Sequence, residues 1–402
     1  MKEFRTILAE FDRTDLSQRK AALATVVKVS GSSYRSPGAR MLITDDGRWT
    51  GSISGGCLEG DALRKARQVM ASGKPLTVTY DTHEESNQNL GIGLGCNGII
   101  DVLIEPIETA QQNNPIETFK DFINTRQPAA LATIFAVHAS ENASLPAQPG
   151  EKLLITPDGD TLRNFESDQV SEIIKKDLKT TFQSRKSEAK TYTIDDIQVE
   201  VFLELIQPSI ELIIFGGGFD ARPVSQLAKT LGWQVTVTDE CVAHIAPLFF
   251  PTADNLSLCN RQFIERDFPI SPYTACILMS HNYEYDRDVL RTLLKTPTPY
   301  IGILGPRKRF DKMITEFEGL QITFTATDLH RIHSPIGLDI GAETPDEIAL
   351  AIISEIQSKF AARSGGYLKY RTGPIHNRDA NSNQVFKQVY IGPENLSEAS
   401  AG

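Results

Sequence analysis

The feature that most constrains the fold is a short apolar strand followed at once by a glycine motif. The run Glu211–Phe215 has no polar alternation, as expected of a parallel strand that is buried on both faces. The next six residues, GGGFDA at 216–221, fit the pattern G-x-G-x-x-A. In such a motif Gly216 permits a tight turn, Gly218 lets the backbone approach a phosphate, and the following helix supplies free N–H groups.

An acidic residue lies where a dinucleotide-binding fold would use one. Asp239 follows Gly216 by 23 residues and ends the next predicted strand, Val235–Thr238. A carboxylate at this place accepts a hydrogen bond from a ribose hydroxyl in such folds. The pattern therefore favours a nucleotide-like ligand, with a simple strand–helix turn as the alternative.

The rest of the C-terminal half continues the alternation of strand and helix. Apolar strands are predicted at Ala275–Ser280 and Tyr300–Leu304, and a closing helix begins at Thr344 with Pro345 and the capping-box residue Glu347. We therefore predict an α/β fold in which the C-terminal part is a Rossmann-like, doubly wound parallel sheet.

Polar loops follow two of these strands and should open at the same sheet edge. The first carries His281 and Asp286, and the second carries Arg307 within the run Arg307–Arg309. Ligands of open parallel sheets bind outside the carboxyl ends of the strands, so His281 and Arg307 are candidate ligand-binding residues. A solvated polar loop and a surface charge run are equally consistent with the sequence.

The N-terminal half contains an internal repeat. The segment AALAT at 21–25 recurs at 129–133, an offset of 108 residues, and LITDDG at 42–47 recurs as LITPDG at 154–159, an offset of 112. Each copy is predicted to run strand, loop, strand, helix, strand. We therefore predict an α+β N-terminal region built by duplication.

The two copies differ in their glycine and cysteine content. The first copy has Gly55, Gly56 and Cys57 before its helix, and Cys96 in a second glycine-rich turn, whereas the matching segment Thr161–Gln169 has neither residue type. A thiol near a helix N-terminus gains thiolate character, and soft thiolates suit molybdenum, copper or sulfur transfer. We therefore expect the first copy to have kept a ligand loop, with Gly55, Gly56, Cys57 and Cys96 as candidate cofactor-binding residues, and the second copy to be support. A small apolar cysteine packed into a glycine-rich turn is the alternative for each.

A polar Gly/Ser loop precedes the second strand of the first copy. Its two guanidinium groups, on Arg35 and Arg40, could bind phosphate or carboxylate, or could lie on the surface of an ordinary hairpin. Arg40 is therefore a further candidate for cofactor binding.

Composition excludes several classes of protein. The net charge of −10 argues against nucleic-acid binding, and no apolar run is long enough to cross a bilayer. The N-terminus does not resemble a secretory signal, so we expect a cytoplasmic protein. The five widely spaced cysteines give no zinc-type pattern, so we predict free thiols and no metal site.

Nearly the whole chain resembles the XdhC/CoxI family. The resemblance is carried by GSSYR at 31–35, GSISGGCLEG at 51–60, GCNG at 95–98, IFGGG at 214–218, MSHNY at 279–283 and HSPIGLDIG at 333–341. The sequence departs from the family pattern at Asp239-Glu240-Cys241, because the family is expected to have an arginine at the third of these positions.

The resemblance implies a chaperone that binds the molybdenum cofactor (molybdopterin), favours its sulfurated form and delivers it to a xanthine dehydrogenase-type molybdoenzyme. It also implies a cysteine desulfurase as sulfur donor, and a homodimer. The glycine motif leaves open a nucleotide or NAD(P) in the Rossmann-like domain, so an NAD(P)-dependent oxidoreductase is the alternative function, and a scaffold that binds only a partner enzyme is a third. We name no catalytic residue.

Four segments are predicted from these observations: an N-terminal domain with the Cys57 and Cys96 loops at 1–110, a degenerate second copy at 111–208, a Rossmann-like domain at 209–380 and a tail at 381–402.

Overall fold

The computed structural model describes residues 1–82, 98–108, 114–123, 127–139 and 145–372. The chain forms two compact units, one mainly of residues 3–208 and the other mainly of residues 209–371. Cys96 lies outside the described residues.

The first copy of the repeat forms a five-stranded antiparallel sheet in the order β3-β2-β1-β5-β4. Helix α2 covers one face because its small residues Ala62 and Ala66 pack against alternate residues of β1, such as Ala22 and Ala24. The elements of this copy are β1 (Ala21–Gly31), β2 (Arg40–Thr44), β3 (Trp49–Gly51), α2 (Glu59–Ser72), β4 (Leu76–Asp81) and β5 (Gly98–Ile107).

The second copy forms a sheet with the equivalent order, β8-β7-β6-β10-β9, and its helix α4 covers the equivalent face. The duplication predicted from the sequence is therefore confirmed at the level of topology. The elements of this copy are β6 (Ala129–His138), β7 (Lys152–Ile155), β8 (Thr161–Arg163), α4 (Asp168–Ser184), β9 (Glu188–Ile194) and β10 (Ile197–Ile206).

Each copy has two more strands than the sequence analysis predicted. The strands β3 and β8 contain only three residues each, too few for a periodic signal. The strand β4 does alternate, with Val78 and Tyr80 packed toward α2 and threonines between them, so its pattern was a usable signal that the prediction missed.

The two sheets share an inner core. Leu23 of β1 and Leu131 of β6 lie in the same apolar cluster, while the neighbouring alanines face the outer helices. Two further helices, α1 (Lys2–Arg13) and α3 (Pro115–Ile123), contribute Phe11 and Phe119 to this cluster. The first unit is thus a pair of face-to-face sheets with α2 and α4 on the outside.

The second unit is a six-stranded parallel sheet in the order β13-β12-β11-β14-β15-β16. Renumbered from its first strand this is 3-2-1-4-5-6, the dinucleotide-binding order, so the predicted Rossmann-like fold is confirmed. The strands are β11 (Glu211–Phe215), β12 (Gln234–Asp239), β13 (Asn255–Leu258), β14 (Thr274–Leu278), β15 (Tyr300–Ile303) and β16 (Ile332–His333).

Helices cover both faces of the parallel sheet. One apolar cluster joins the sheet to α5 and α10, and another joins it to α7 and α8. The capping box and first-turn proline predicted for the closing helix are present at Thr344, Pro345 and Glu347. The helices are α5 (Ala221–Thr230), α6 (Ile264–Asp267), α7 (Tyr283–Leu293), α8 (Arg307–Gly319), α9 (Ala326–Arg331) and α10 (Pro345–Phe360).

Candidate functional site

The Cys57 loop connects β3 to the N-terminus of α2. Gly55 and Gly56 have φ values of +94° and +119°, which non-glycine residues rarely adopt. A Cβ on Gly55 would also lie 2.8 Å from the Tyr34 ring. The two glycines predicted to belong to a ligand loop are therefore required by the backbone of that loop.

The carboxylate of Glu59, the first residue of α2, lies at the centre of this loop. Its Oε1 accepts hydrogen bonds from the N–H groups of Ile53 (3.1 Å) and Ser54 (2.9 Å), and its Oε2 accepts from Gly56 (2.9 Å). The hydroxyl of Ser52 donates at 2.7 Å. The remaining donors are the N–H groups of Gly55 and Leu58 and the hydroxyl of Ser54.

These hydrogen bonds keep the carboxylate of Glu59 ionised at neutral pH. Burial alone would raise the pKa of Glu59, but the bonds from Ser54 and Ser52 lower it from an ordinary 4.5 to about 2. Sequence reasoning missed this residue, although an acid at the first helical position directly after a Gly/Ser loop was a usable signal.

Cys57 is exposed at the tip of the loop. Within the described part of the chain, neither its thiol nor its N–H has a hydrogen-bond partner, whereas the N–H groups on either side are bonded to Glu59. The predicted turn before a helix is therefore present, and it displays a free thiol to solvent.

Arg40 has a different environment from the one predicted. Its guanidinium is buried and bonds both carboxylate oxygens of Glu204, at 2.9 and 2.5 Å. The rings of Phe4 and Phe119 lie within 5 Å of it. Since this group is enclosed between the two sheets, the position of Arg40 corresponds to a structural ion pair and does not support the predicted contact with a ligand.

In the second unit the glycine loop begins where the sequence predicted. Gly216 has φ +118°, and a Cβ there would lie 2.4 Å from the Ser280 backbone. A glycine is therefore required where the ends of β11 and β14 approach each other. This point is the topological switch of the sheet, where ligands of this fold bind.

Asp239 ends β12 as predicted, but its carboxylate serves the loop itself. It accepts the N–H groups of Gly217 at 2.9 Å and Cys241 at 2.8 Å, and it contacts His244 Nδ1 at 3.1 Å. The residue is buried. The carboxylate of Asp239 therefore stabilises the glycine loop, and little of it is accessible to a ribose hydroxyl.

The N-terminus of α5 offers backbone donors. The N–H groups of Gly218, Phe219 and Asp220 have no hydrogen-bond acceptor among the described residues, so they are available to an anion at the start of a helix. His281 faces Gly218, and a Cβ added to Gly218 would lie 3.5 Å from the His281 ring. Its φ of +60° is unusual for a non-glycine residue, and its Nε2 lies 3.4 Å from the Asp220 carboxylate.

The other two polar residues predicted at this edge of the parallel sheet have different environments: one is buried and stabilises the fold, and the other lies on the surface. Asp286 of α7 is buried and bonds Ser280 Oγ at 2.6 Å and Arg309 of α8 at 2.8 Å, so it joins the loop after β14 to α8 and does not face a ligand. Burial raises its pKa despite these partners. Arg307 is exposed as the first residue of α8. The structure thus brings Gly216, Gly218, Asp239 and His281 together.

Neither a metal-binding cluster nor a membrane span is present in the described part of the chain. Its residues contain no group of three or more His, Cys, Asp or Glu side chains arranged to hold a metal ion. No helix among them is long and apolar enough to span a membrane.

Comparisons with known proteins agree with both units. Residues 16–81 match the family described as XdhC and CoxI, and residues 212–356 match the one described as the XdhC Rossmann domain. A Bacillus subtilis protein named as a probable subunit of xanthine dehydrogenase is 31% identical over 89% of this chain and 97% of its own length. The molybdenum cofactor insertion chaperone PaoD of Escherichia coli is 23% identical over 89% of this chain and 88% of its own.

A solved structure has the same fold. A crystal structure described as a xanthine dehydrogenase from Bacillus halodurans matches with a TM-score of 0.71 and 29% identity, covering 90% of this chain and 97% of that one.

Proposed function

The chain belongs to the XdhC and CoxI family, and on that premise we propose that it binds the molybdenum cofactor and inserts it into a xanthine dehydrogenase-type enzyme. The single observation that carries the proposal is the exposed thiol of Cys57, which has no partner among the described residues and lies on a loop whose backbone is fixed around it. The names of two relatives, one a molybdenum cofactor insertion chaperone and the other a probable part of xanthine dehydrogenase, support the same function.

The donor set at the Cys57 loop fits one part of this cofactor. Sulfur is a soft ligand that suits a molybdenum–sulfur centre. The backbone N–H groups that could have held a phosphate are already bonded to Glu59. The loop is therefore suited to the metal end of the cofactor and not to its phosphate. When bound, the cofactor supplies the redox-active molybdenum that the partner enzyme uses.

The glycine loop of the second unit fits an anion. The open N–H groups of Gly218, Phe219 and Asp220 can hold a phosphate of a pterin or nucleotide, and Arg307 lies exposed at the start of α8. Asp239 contributes by fixing Gly217, and His281 by lying over Gly218. Each loop is proposed as a binding element in its own unit.

A carrier is favoured over an oxidoreductase. Hydride transfer needs a positioned acid or base, and His281 is the one plausible group among the loops described above, with its ring directed at Asp220. We propose no catalytic residue. Preference for the sulfurated cofactor, supply of sulfur by a cysteine desulfurase, a homodimer and a cytoplasmic location remain parts of the proposal.

The test is to purify the chain and its variants from a host that makes the cofactor, and to quantify the bound pterin by fluorescence after oxidation. We expect the pterin bound by Cys57→Ala to fall at least about tenfold, because the loss of even an outer-shell partner of a metal ligand costs about that much. Cys241→Ala is the matched control, because Cys241 is also exposed but lies on the other unit. Unchanged pterin in Cys57→Ala, with tight NAD(H) binding by the parent, would favour the oxidoreductase.

A further inference from the structure

We propose that Glu59 is a positioning residue for Cys57: it takes the place of a bound anion inside the loop and so fixes the thiol and N–H of Cys57 toward the ligand. The inference rests on the proposed function, in which Cys57 contacts the cofactor. The role of Glu59 does not follow from family membership alone, because it is inferred from the direction of the N–H groups in the loop.

The loop has the geometry of an anion-binding nest. The N–H groups of Ile53, Ser54, Gly55, Gly56 and Leu58 converge on one carboxylate, and two serine hydroxyls add to them. Convergent backbone N–H groups of this kind hold phosphates and other anions in many proteins. Here the anion is part of the chain, and the residue is only 4% exposed.

Helix capping does not account for this arrangement. A capping side chain satisfies N–H groups of the first helical turn. Glu59 instead accepts four of its five N–H bonds from residues 53–56, which precede the helix. The carboxylate of Glu59 therefore stabilises the loop and not the first turn of α2.

Because Glu59 occupies the nest, Cys57 is the residue of the loop that is left to meet a ligand. Between residues 53 and 58 it is the one residue whose N–H is not bonded to Glu59, and its thiol is exposed. A ligand at this loop therefore meets a soft sulfur and one backbone donor, both on a backbone that Glu59 holds on either side. This pair suits a metal centre that binds sulfur ligands and carries an oxo or sulfido acceptor, and the filled nest leaves no convergent donors for free phosphate.

The test compares Glu59→Ala and Glu59→Gln with Asp168→Ala, the control at the first residue of the equivalent helix, where Asp168 is exposed. In Glu59→Ala we expect amide exchange at residues 53–58 to accelerate at least about tenfold, since bonds to a charged acceptor are worth more than that factor. Co-purified pterin should fall about as far, while Cys57 still reacts with iodoacetamide at least as fast as in the parent. A thiol that stays reactive while binding is lost identifies a positioning role.

Chemical rescue adds a second measurement. Formate should enter the emptied nest of Glu59→Ala and restore both slow exchange and pterin binding, and chloride at equal ionic strength should not. Glu59→Gln keeps one carbonyl acceptor and should give intermediate values, and it carries the test if the alanine variant does not fold.

The outcomes separate this inference from the proposed function. Pterin within about twofold of the parent in Glu59→Ala, with loss in Cys57→Ala, overturns the role of Glu59 and leaves the function standing. Retention of pterin in Cys57→Ala overturns the function. If the function is overturned in this way, amide exchange at residues 53–58 in Glu59→Ala, and its rescue by formate, still test whether Glu59 fixes the loop. Unchanged exchange in Glu59→Ala would overturn the role of Glu59 as well.

Discussion

The two copies of the repeat share their scaffold and differ in one loop. Both sheets have the same strand order, and Gly38 and Gly150 occupy equivalent turns with the same φ of +93°. Before the helix, however, the first copy has a glycine loop wrapped around Glu59, and the second has the short segment that ends at the capping residue Ser167. Duplication has preserved the packing and left the candidate chemistry in one copy.

The shared scaffold includes a reciprocal pair of buried ion pairs. Arg40 of the first copy bonds Glu204 on the last strand of the second, and Lys152 of the second copy bonds Glu105 on the last strand of the first. The two acids are equivalent, since Glu105 pairs with Leu23 and Glu204 with Leu131 in register. These bonds tie each copy to the other.

The first prediction breaks this symmetry and has the largest effect. Arg40→Met leaves Glu204 buried without its partner, and we expect a loss of about 3–5 kcal/mol in the unfolding free energy of residues 3–208. Lys152→Met should cost a similar amount, and adding Glu204→Gln to Arg40→Met should recover part of the loss. The measurement is the protection of the most slowly exchanging amides in that unit. A cost below about 1 kcal/mol, the range of a surface pair, would mean that Arg40 is not a structural cation and would reopen its role as a ligand.

The second prediction concerns acid. The folded pKa of Glu59 lies below its ordinary value, so its contribution is complete above about pH 4.5 and is lost as the pH falls toward 2. The full shift corresponds to about 3 kcal/mol. In the second copy, burial raises the pKa of Glu151 although it accepts bonds from Glu166 and Gln148, so its protonation favours the folded state at low pH.

The two copies should therefore respond oppositely to acid. Amide exchange near residues 53–58 should accelerate between about pH 4.5 and 2, after correction for intrinsic rates, and exchange near residues 164–166 should not. Glu59→Gln should flatten the first profile, and Glu151→Gln should leave it unchanged. Parallel profiles in the two loops would contradict the assignment of the lowered pKa to the nest.

Much of this architecture was available in the sequence. The strand Glu211–Phe215 and the capping box at Thr344 follow from local patterns, and the repeat follows from matching segments of the sequence. The structure has all three as predicted. The role of Arg40 was not available, because its partner lies 164 residues away and no local pattern joins them. The loop around Glu59 was partly predictable, since its glycines indicated a ligand loop but not the carboxylate that occupies it.

A third prediction uses two matched glycines. Gly56 and Gly159 both have strongly positive φ values, and a Cβ at either would meet nothing within 4 Å. Alanine at either site should therefore cost about 1–2 kcal/mol of backbone strain. Only Gly56→Ala should also lower the co-purified pterin, because only that glycine belongs to the Cys57 loop. Equal pterin in the two variants would place the functional difference between the copies elsewhere.

The smallest effect is expected at the cap of the support copy. Ser167 accepts the N–H of Val170 at the start of α4, whereas Leu58, the residue before α2, provides no side-chain cap. Ser167→Ala should cost about 1 kcal/mol, as for loss of an ordinary N-cap. It should leave pterin binding and exchange at residues 53–58 unchanged, because the second copy stabilises its helix without shaping a loop. A change in binding from this distant cap would mean that the two copies act as one functional unit, and the division into a scaffold copy and a ligand-binding copy would then be wrong.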